Sequence, residues 1–259
     1  MLTVNESGEG SPLVLLHGWG LHSGVWQSIL PELDKLFHCY TVDMLGHGES
    51  QASSNVSFSL NNMRKALHTL INSIESDNII LVGWSLGGLV AMDYLNHFPS
   101  KIKKLILITA NACFCKQSDW PHGLETTVLD SFAQQLEHDY KKTVDKFMAL
   151  QMLGADDYKF SLKVLKSSIA SRPDPSMQAL RSGLNILKTT DLREKLHALS
   201  QPTLMISGEH DRLMPYQAAA AMQVLFSHAK STMIKGAGHA PFISHPNEFI
   251  QLIKEFSYG

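Results

Sequence analysis

The chain lacks a surplus of charge of either sign. Its 259 residues include 22 lysines and arginines against 24 aspartates and glutamates, which gives a formal net charge of −2 at pH 7. Nucleic-acid binding depends on basic residues that neutralise phosphates, and this chain has no excess of them. We therefore expect no nucleic-acid partner.

Cysteines and long apolar runs are also scarce. The three cysteines, Cys39, Cys113 and Cys115, are too few for a disulfide framework, and the close pair lacks the further ligands of a zinc site. No apolar run approaches the roughly 20 residues of a membrane-spanning helix. Residues 1–6 lack the basic and apolar segments of a secretion signal. These absences favour a cytoplasmic protein with reduced cysteines, no metal and no membrane contact.

One stretch organises the rest of the chain. An apolar run ending at Val82 leads into Gly83-Trp84-Ser85-Leu86-Gly87-Gly88, and an apolar helical pattern follows. This order predicts a buried strand, a very sharp turn and a helix, with Ser85 in a strained conformation at the turn. Gly83 and Gly87 are expected where the strand and the helix cross too closely for a Cβ. A phosphate-binding turn is the alternative, but the lysine of such a loop is missing.

Strands and helices alternate around this stretch. Apolar strands are predicted at Pro12–Leu16, His38–Val42, Lys104–Thr109, Pro202–Ser207 and Ser231–Ile234. The first intervening helix is expected to bury Val25, Trp26, Ile29, Leu30 and Leu33. The pattern predicts an α/β fold with a mostly parallel sheet covered by helices on both faces. Sites in such sheets lie at the carboxyl ends of the strands, where Trp19, Asp43 and Ser85 are placed.

The pattern changes between residues 112 and 187. Apolar residues recur there at helical spacing, and no strand is indicated. One set is Val128, Phe132, Leu136, Tyr140, Val144 and Phe147, and the other is Tyr158, Leu162, Leu165 and Ile169. We predict a core domain of residues 1–111 and 188–259. An all-helical cap, residues 112–187, is expected to lie above the carboxyl edge of the sheet.

Residues after Ser85 provide the partners that a serine nucleophile needs. A serine hydroxyl requires a base to accept its proton, and the base requires an orienting carboxylate. Asp211 follows a strand in Gly-x-x-Asp, and His239 follows the last strand in Gly-x-Gly-His. The order serine, aspartate, histidine is the one that an α/β-hydrolase sheet produces. Asp43 is the runner-up acid, although it precedes the nucleophile; Glu209 and His210 are interpreted as bystanders.

Two backbone N–H groups are expected to bind the oxyanion of the tetrahedral intermediate. One belongs to Leu86, directly after the nucleophile. The other is expected from Trp19, in the loop after the first predicted strand. The indole of Trp19 either lines the pocket or serves simple packing.

The motifs resemble those of a known family. His17-Gly18-Trp19-Gly20, the Gly83–Gly88 stretch, Asp211 and Gly238-His239 resemble the α/β-hydrolase superfamily. Three further stretches are similar to the biotin-pathway carboxylesterase family, BioH. They are Phe147-Met-Ala-Leu-Gln151, Ile186-Leu-Lys-Thr-Thr-Asp-Leu-Arg193 and His239-Ala-Pro-Phe-Ile-Ser-His-Pro246. Together the stretches span both the core and the predicted cap.

The resemblance implies a serine carboxylesterase that hydrolyses the methyl ester of pimeloyl-acyl carrier protein in biotin biosynthesis. It implies Ser85, Asp211 and His239 as the catalytic triad, with Trp19 and Leu86 at the oxyanion and substrate site. The acyl chain would contact five cap residues, Phe147, Met148, Ala149, Leu150 and Gln151. Core packing of the cap is the alternative for most of the apolar members, and Phe147 and Gln151 are the preferred substrate contacts. We expect a monomer that requires no cofactor and has acyl carrier protein as its partner.

Four lysines occupy cap positions where the best-known family pattern is rich in arginine: Lys142, Lys146, Lys159 and Lys163. The members of each pair are one helical turn apart. An acyl carrier protein is acidic, so the resemblance implies that these lysines steer the carrier to the site. A solvated helix face is the alternative. Because lysine makes point-charge contacts, a carrier interface built from it is expected to be sensitive to salt.

Other functions stay open from the sequence. The same triad serves broad short-chain carboxylesterases and C–C bond hydrolases, and comparing carrier-bound with free esters would separate these activities. A non-catalytic ligand receptor of the same fold belongs to another class. An intact triad argues against a receptor, because binding alone has no chemical need for one.

Overall fold

Seven strands form one sheet in the computed structural model, which describes residues 2–50, 57–170 and 172–259. The strands are β1 (Thr3–Ser7), β2 (Ser11–Leu16), β3 (Phe37–Asp43), β4 (Ile79–Trp84), β5 (Ile102–Ile108), β6 (Thr203–Gly208) and β7 (Ala229–Ile234). Their order is β1-β3-β2-β4-β5-β6-β7. Neighbouring strands are parallel except β1 and β3, which are antiparallel. The predicted mostly parallel sheet is confirmed, and β1 is an edge strand that the sequence analysis missed.

Helices follow most of the strands. They are α1 (Leu30–Leu33), α2 (Leu60–Ser73), α3 (Leu86–Leu95), α4 (Thr126–His138), α5 (Tyr140–Met152), α6 (Tyr158–Ile169), α7 (Met177–Thr189), α8 (Tyr216–Gln223), α9 (Pro241–Ser244) and α10 (Pro246–Tyr258). Short 3-10 helices cover Ser23–Trp26 and Arg193–Ala198. The expectation of one continuous helix through Val25 and Leu33 is wrong. Pro31 cannot donate the hydrogen bond of a continuing helix, and it lies instead in the first turn of α1.

Both faces of the sheet are buried because successive strand residues point into two different apolar cores. In β2, Val14 and Leu16 join the core that contains α2 and α3. Leu13 and Leu15 join the core that contains α9 and α10. This arrangement explains why the strands are nearly continuous apolar runs rather than alternating ones.

Four helices, α4 to α7, interrupt the alternation between β5 and β6, and we call residues 126–189 the cap segment. The first predicted helical set is divided at Asp139, whose side chain accepts the backbone N–H of Lys142 at 3.0 Å and caps α5. The surrounding connections are not entirely helical, since Cys113 and Asp191 form an isolated β-bridge. The exact limits of a separate cap domain therefore stay a prediction.

Three further observations concern the described part of the chain. None of its helices is long and apolar enough to cross a membrane. This part of the chain contains no group of three or more histidine, cysteine, aspartate or glutamate side chains that could hold a metal ion. All three cysteines are buried and unpaired.

Gly83→Ala should destabilise the protein because its Cβ would meet the backbone of the crossing helix. The added atom would lie 2.5 Å from Gly88 Cα and 2.6 Å from Gly87 O. We expect the free energy of unfolding, measured by chemical denaturation, to fall by about 3 kcal/mol or more. Gly20→Ala is the comparison, because its Cβ would meet nothing closer than 3.6 Å. The free energy of unfolding of Gly20→Ala should fall by only about 1–2 kcal/mol, the cost of holding a residue with a side chain in a left-handed conformation. Equal losses would contradict a close crossing.

Candidate active site

Ser85 lies at the sharp turn between β4 and α3. Its φ of 53° and ψ of −116° place a residue with a side chain in a region that glycine normally occupies. The backbone N–H of Ser85 still donates to Ile108 O of β5 at 3.0 Å, so the residue stays attached to the sheet. A Cβ on Gly87 would lie 2.5 Å from Leu16 O. The predicted strand, strained turn and helix are therefore present, with glycines where the two elements approach.

Leu86 and the loop that carries Trp19 both lie next to Ser85. Leu86 is the first residue of α3, so its N–H is among those that have no acceptor within the helix. The positive end of the helix dipole lies at the same place. The Trp19 loop, residues 17–23, follows β2 and approaches from the other side. A Cβ on Gly18 would be 3.4 Å from Ser85 Cβ.

Asp211 and His239 meet at the carboxyl ends of β6 and β7. His239 Nδ1 is 2.7 Å from Asp211 Oδ2, and both side chains are essentially buried. The other oxygen, Asp211 Oδ1, accepts the N–H groups of Leu213 and Met214 at 2.8 and 2.9 Å. These bonds hold the carboxylate so that it orients the imidazole. His239 Nε2 is buried and has no hydrogen-bond partner among the described residues, which leaves this nitrogen for a nucleophile or a substrate.

Three residues hold the backbone of His239. Two of them, Trp84 and Thr109, had no role predicted from the sequence. The indole of Trp84 donates to His239 O at 2.8 Å, and the hydroxyl of Thr109 donates to the same oxygen at 2.7 Å. Gln151 O accepts the N–H of His239 at 3.0 Å. Thr109 has a φ of 41° directly after β5, at a strand end, and this position is the signal that could have pointed to it.

Asp43, the runner-up acid, makes a different set of contacts. Its carboxylate accepts the N–H groups of Ser23 and Glu49 and forms an ion pair with Arg172 at 2.8 Å. Asp211 instead holds the ring nitrogen of His239. The preference for Asp211 as the acid therefore has geometric support.

Glu209 and His210, which the sequence analysis interprets as bystanders to the triad, make contacts that hold the loops around it, and their lack of a catalytic role stays a prediction. His210 Nδ1 lies 2.8 Å from Gly154 O, in the turn between α5 and α6. Glu209 Oε2 accepts the N–H of Gly236 at 3.0 Å, in the loop that carries His239. The two residues thus connect the loop of Asp211 to the cap segment and to the loop of His239. Their local sequence held no periodic signal for contacts so distant along the chain.

The predicted acyl-binding residues lie on α5, next to the Trp19 loop. Phe147 is buried, and its ring packs edge-on against Trp19 at 4.6 Å and against Phe132 at 5.2 Å between centroids. Met148 and Gln151 are buried, whereas Ala149 and Leu150 are half-buried. Gln151 Nε2 has no hydrogen-bond partner among the described residues. This segment therefore offers an aromatic wall and one buried donor.

The four cap lysines predicted to contact a carrier are all exposed: Lys142 and Lys146 on α5, Lys159 and Lys163 on α6. Lys146 donates to the side-chain oxygen of Gln135 at 2.7 Å. A neighbouring lysine, Lys166, is paired with Asp145 at 2.9 Å. The four positions are therefore accessible to a partner.

Two buried histidines, His17 in the Trp19 loop and His47 packed against it, are held neutral. Burial lowers the pKa of His17 from 6.5 to about 3, with a further contribution from His47, whose ring centroid is 5.0 Å away. Burial also lowers the pKa of His47 from 6.5 to about 4. His17 Nε2 accepts the N–H of Met44 at 3.0 Å. His47 Nε2 is buried with no hydrogen-bond partner among the described residues, so a proton there would lack an acceptor.

Comparison with known proteins agrees with the fold. The family model described as "alpha/beta hydrolase fold" matches residues 11–246. The structure of an esterase, EaEST from Exiguobacterium antarcticum, superimposes with a TM-score of 0.90 and covers 100% of this chain and 96% of that chain. At 22% sequence identity, that likeness concerns the fold. Fold and site together define an α/β hydrolase.

Two curated relatives narrow the class. A "Pimeloyl-[acyl-carrier protein] methyl ester esterase" from Aeromonas hydrophila is 36% identical over 255 residues, which cover 98% of each chain. The protein of the same name from Cronobacter sakazakii is 41% identical over 244 residues, 94% of this chain and 92% of that one. The chain belongs to the pimeloyl-[acyl-carrier protein] methyl ester esterase family, the BioH family that its motifs resemble.

Stability should fall when the pH is lowered through the window in which only the unfolded chain protonates His17 and His47. Unfolded histidine binds a proton below about pH 6.5, whereas the folded pKa values are about 3 and about 4. The unfolded state therefore binds more protons between these limits. Each histidine should remove about 1.4 kcal/mol of unfolding free energy per pH unit below pH 6.5.

Urea titrations of the protein at pH 7, 6 and 5 measure this slope. His47→Gln should reduce it, and His228→Gln, a change at an exposed histidine, should leave it unaltered. A slope unaffected by His47→Gln would contradict the assignment.

Proposed function

We propose that this protein is a serine carboxylesterase that cleaves the methyl ester of pimeloyl-acyl carrier protein. The products are methanol and pimeloyl-acyl carrier protein, an acid for biotin biosynthesis. The observation that carries the proposal is the buried His239–Asp211 pair, with its unpartnered Nε2, on the sheet edge where the Ser85 turn lies. The near full-length relatives support the choice of ester.

The proposed reaction uses the chain's own groups at each proton transfer. His239 Nε2 accepts the proton of Ser85 as Ser85 Oγ attacks the ester carbonyl. The N–H groups of Leu86 and Trp19 bind the oxyanion, and methanol leaves with the proton from His239. His239 then activates a water molecule that releases the acid from Ser85. Asp211 orients the imidazole and stabilises its charged form throughout.

The acyl chain is proposed to lie against α5 of the cap segment. Phe147 and Trp19 supply apolar ring surface beside Ser85, as their edge-on packing at 4.6 Å supports. The buried Gln151 Nε2 is a hydrogen-bond donor without a protein partner among the described residues, and such a donor is costly unless a ligand uses it. We assign Met148, Ala149 and Leu150 to the same binding segment.

The carrier is proposed to dock on the exposed lysines of α5 and α6. Acidic carrier surfaces are attracted to such a face, and the attraction orients the phosphopantetheine arm toward Ser85. We further propose that the enzyme acts as a cytoplasmic monomer, with residues 112–187 as its cap domain and residues 1–111 and 188–259 as its core. No metal or organic cofactor takes part in the proposed steps.

Hydrolysis of pimeloyl-acyl carrier protein methyl ester by the purified protein tests the function. A short p-nitrophenyl ester is measured alongside it, and Ser85→Ala serves as the control. We expect rapid cleavage of the carrier ester and a loss of about 10⁴-fold or more in Ser85→Ala with an unchanged melting temperature. Cleavage of the short ester alone would indicate a broad carboxylesterase. Full activity in Ser85→Ala would reject the mechanism.

The lysine face predicts a substrate-dependent and salt-dependent defect. Replacing Lys142, Lys146, Lys159 and Lys163 by glutamine should raise the KM for the carrier ester by about tenfold or more at low salt, since four attractive charges are lost. The kinetics on the short ester should be unchanged. The matched control replaces four exposed lysines outside the cap segment: Lys35, Lys65, Lys230 and Lys254. An equal rise in KM in that control would argue for general attraction and against docking on α5 and α6.

A further inference from the structure

Three hydrogen bonds between described residues attach the Trp19 loop to the cap segment, in addition to the packing of Trp19 against Phe147. The indole of Trp19 donates to Leu180 O of α7 at 2.8 Å. His22 Nε2 lies 3.0 Å from Ile169 O, at the end of α6. Ser23 Oγ accepts from Arg172 Nη1 at 2.5 Å. All three hydrogen bonds involve α6, α7 or the link between them, so the loop that offers an oxyanion donor takes its position partly from the cap segment.

Asp43 joins these contacts to the core. Its fully buried carboxylate accepts the N–H of Ser23 at Oδ1, at 2.8 Å. At Oδ2 it accepts the N–H of Glu49 at 2.9 Å and Arg172 Nη1 at 2.8 Å. Burial alone would raise the pKa of Asp43, but the hydrogen bonds from Ser23 and Glu49 outweigh it and the pKa lies below its usual value. The group is therefore a buried anion that needs a compensating charge.

Arg172 supplies that charge from the cap side. Its guanidinium reaches both Ser23 Oγ and Asp43 Oδ2, and its side chain is 20% exposed whereas that of Asp43 is 0% exposed. The N–H groups of Ser23 and Glu49, which also donate to the Asp43 carboxylate, carry no net charge. Loss of the guanidinium would leave a buried carboxylate without its counter-ion, and such a charge draws in water or shifts its surroundings.

We propose that Arg172 is a positioning residue for ester hydrolysis, which fixes the Trp19 loop through Asp43 and Ser23 so that the Trp19 N–H faces the oxyanion. This inference rests on the proposed function. The arginine does not touch the substrate. Its effect is exerted on the transition state, because the negative charge on the carbonyl oxygen develops there and not in the bound ester.

Kinetics of Arg172→Gln on the short p-nitrophenyl ester test the inference. Removing an oxyanion donor costs about 10²–10³ in turnover, so displacing one should lower kcat by about tenfold or more. KM should change by less than about twofold, because ground-state contacts are retained. Arg172→Lys should recover part of kcat, since an ammonium restores the charge without the planar two-point fork. Arg181→Gln is the matched control, because Arg181 pairs with Glu137 inside the cap segment.

Two further measurements separate positioning from a merely structural role. Titration with a fluorophosphonate counts the active sites, and kcat is expressed per active site, so partial unfolding does not lower it. A trifluoromethyl ketone forms a tetrahedral adduct with Ser85. Its affinity should fall in Arg172→Gln by the same factor as kcat/KM, whereas affinity for the free acid product should not.

The outcomes distinguish this inference from the proposed function. A kcat per active site and an adduct affinity in Arg172→Gln equal to those of the wild type would overturn the inference. So would an equal loss in Arg181→Gln. If the wild type cleaves the short ester and not the carrier ester, the proposed substrate fails while Arg172 is still tested. If the wild type has no Ser85-dependent esterase activity, both proposals fall.

Discussion

The close crossing of β4 and α3 at Ser85 is the constraint on which the site depends. The chain reverses from strand to helix within one residue, and Ser85 therefore adopts a φ of 53°. Only glycine fits at Gly83 and Gly87, where a Cβ would lie 2.5 Å from backbone atoms. The same strand places Trp84, whose indole donates to His239 O. The strand that positions Ser85 thus also helps to position His239, which we propose as the base.

The cap segment contributes hydrogen bonds to the candidate site. The backbone of His239 donates to Gln151 O at the end of α5, while Trp84 and Thr109 hold its carbonyl from the core. His210, next to Asp211, reaches Gly154 O in the turn between α5 and α6. A displacement of α5 would therefore move the proposed acyl-binding residues and the backbone of His239 together. The hydrogen bond between His239 N–H and Gln151 O thus joins the proposed acyl-binding segment to the proposed base.

Three buried ionisable groups near the sheet edge, His17, His47 and Asp43, are either neutral or paired with an opposite charge. His17 and His47 avoid a charge, because burial lowers their pKa values far below neutrality. Asp43 keeps its charge, and Arg172 balances it across the boundary between core and cap segment. Neutral groups need only hydrogen-bond partners, whereas a buried anion needs an opposite charge nearby. The charge of Asp43 therefore links the core to the cap segment through Arg172, whereas the neutral histidines need no such partner.

Much of the fold followed from the sequence because its signals are local. Apolar strands, intervening helices and the glycines around Ser85 each depend on neighbouring residues, and they predicted the mostly parallel sheet that the structure has. The edge strand β1 escaped because its residues Thr3–Ser7 are half-buried or exposed and carry no apolar run. The predicted helix through Leu33 failed because Pro31 outweighed the apolar spacing.

Tertiary structure decided the contacts between residues far apart in the chain. Arg172 and Asp43 are 129 positions apart, and Trp84 and His239 are 155 apart. Neither pair leaves a periodic or spacing signal, because such contacts depend on how loops at the carboxyl ends of different strands converge. The sequence by itself determined which residues have the chemistry of a serine hydrolase. Only the folded chain determined which groups hold those residues in place, since hydrogen bonds and ion pairs act over distances in space and not along the chain.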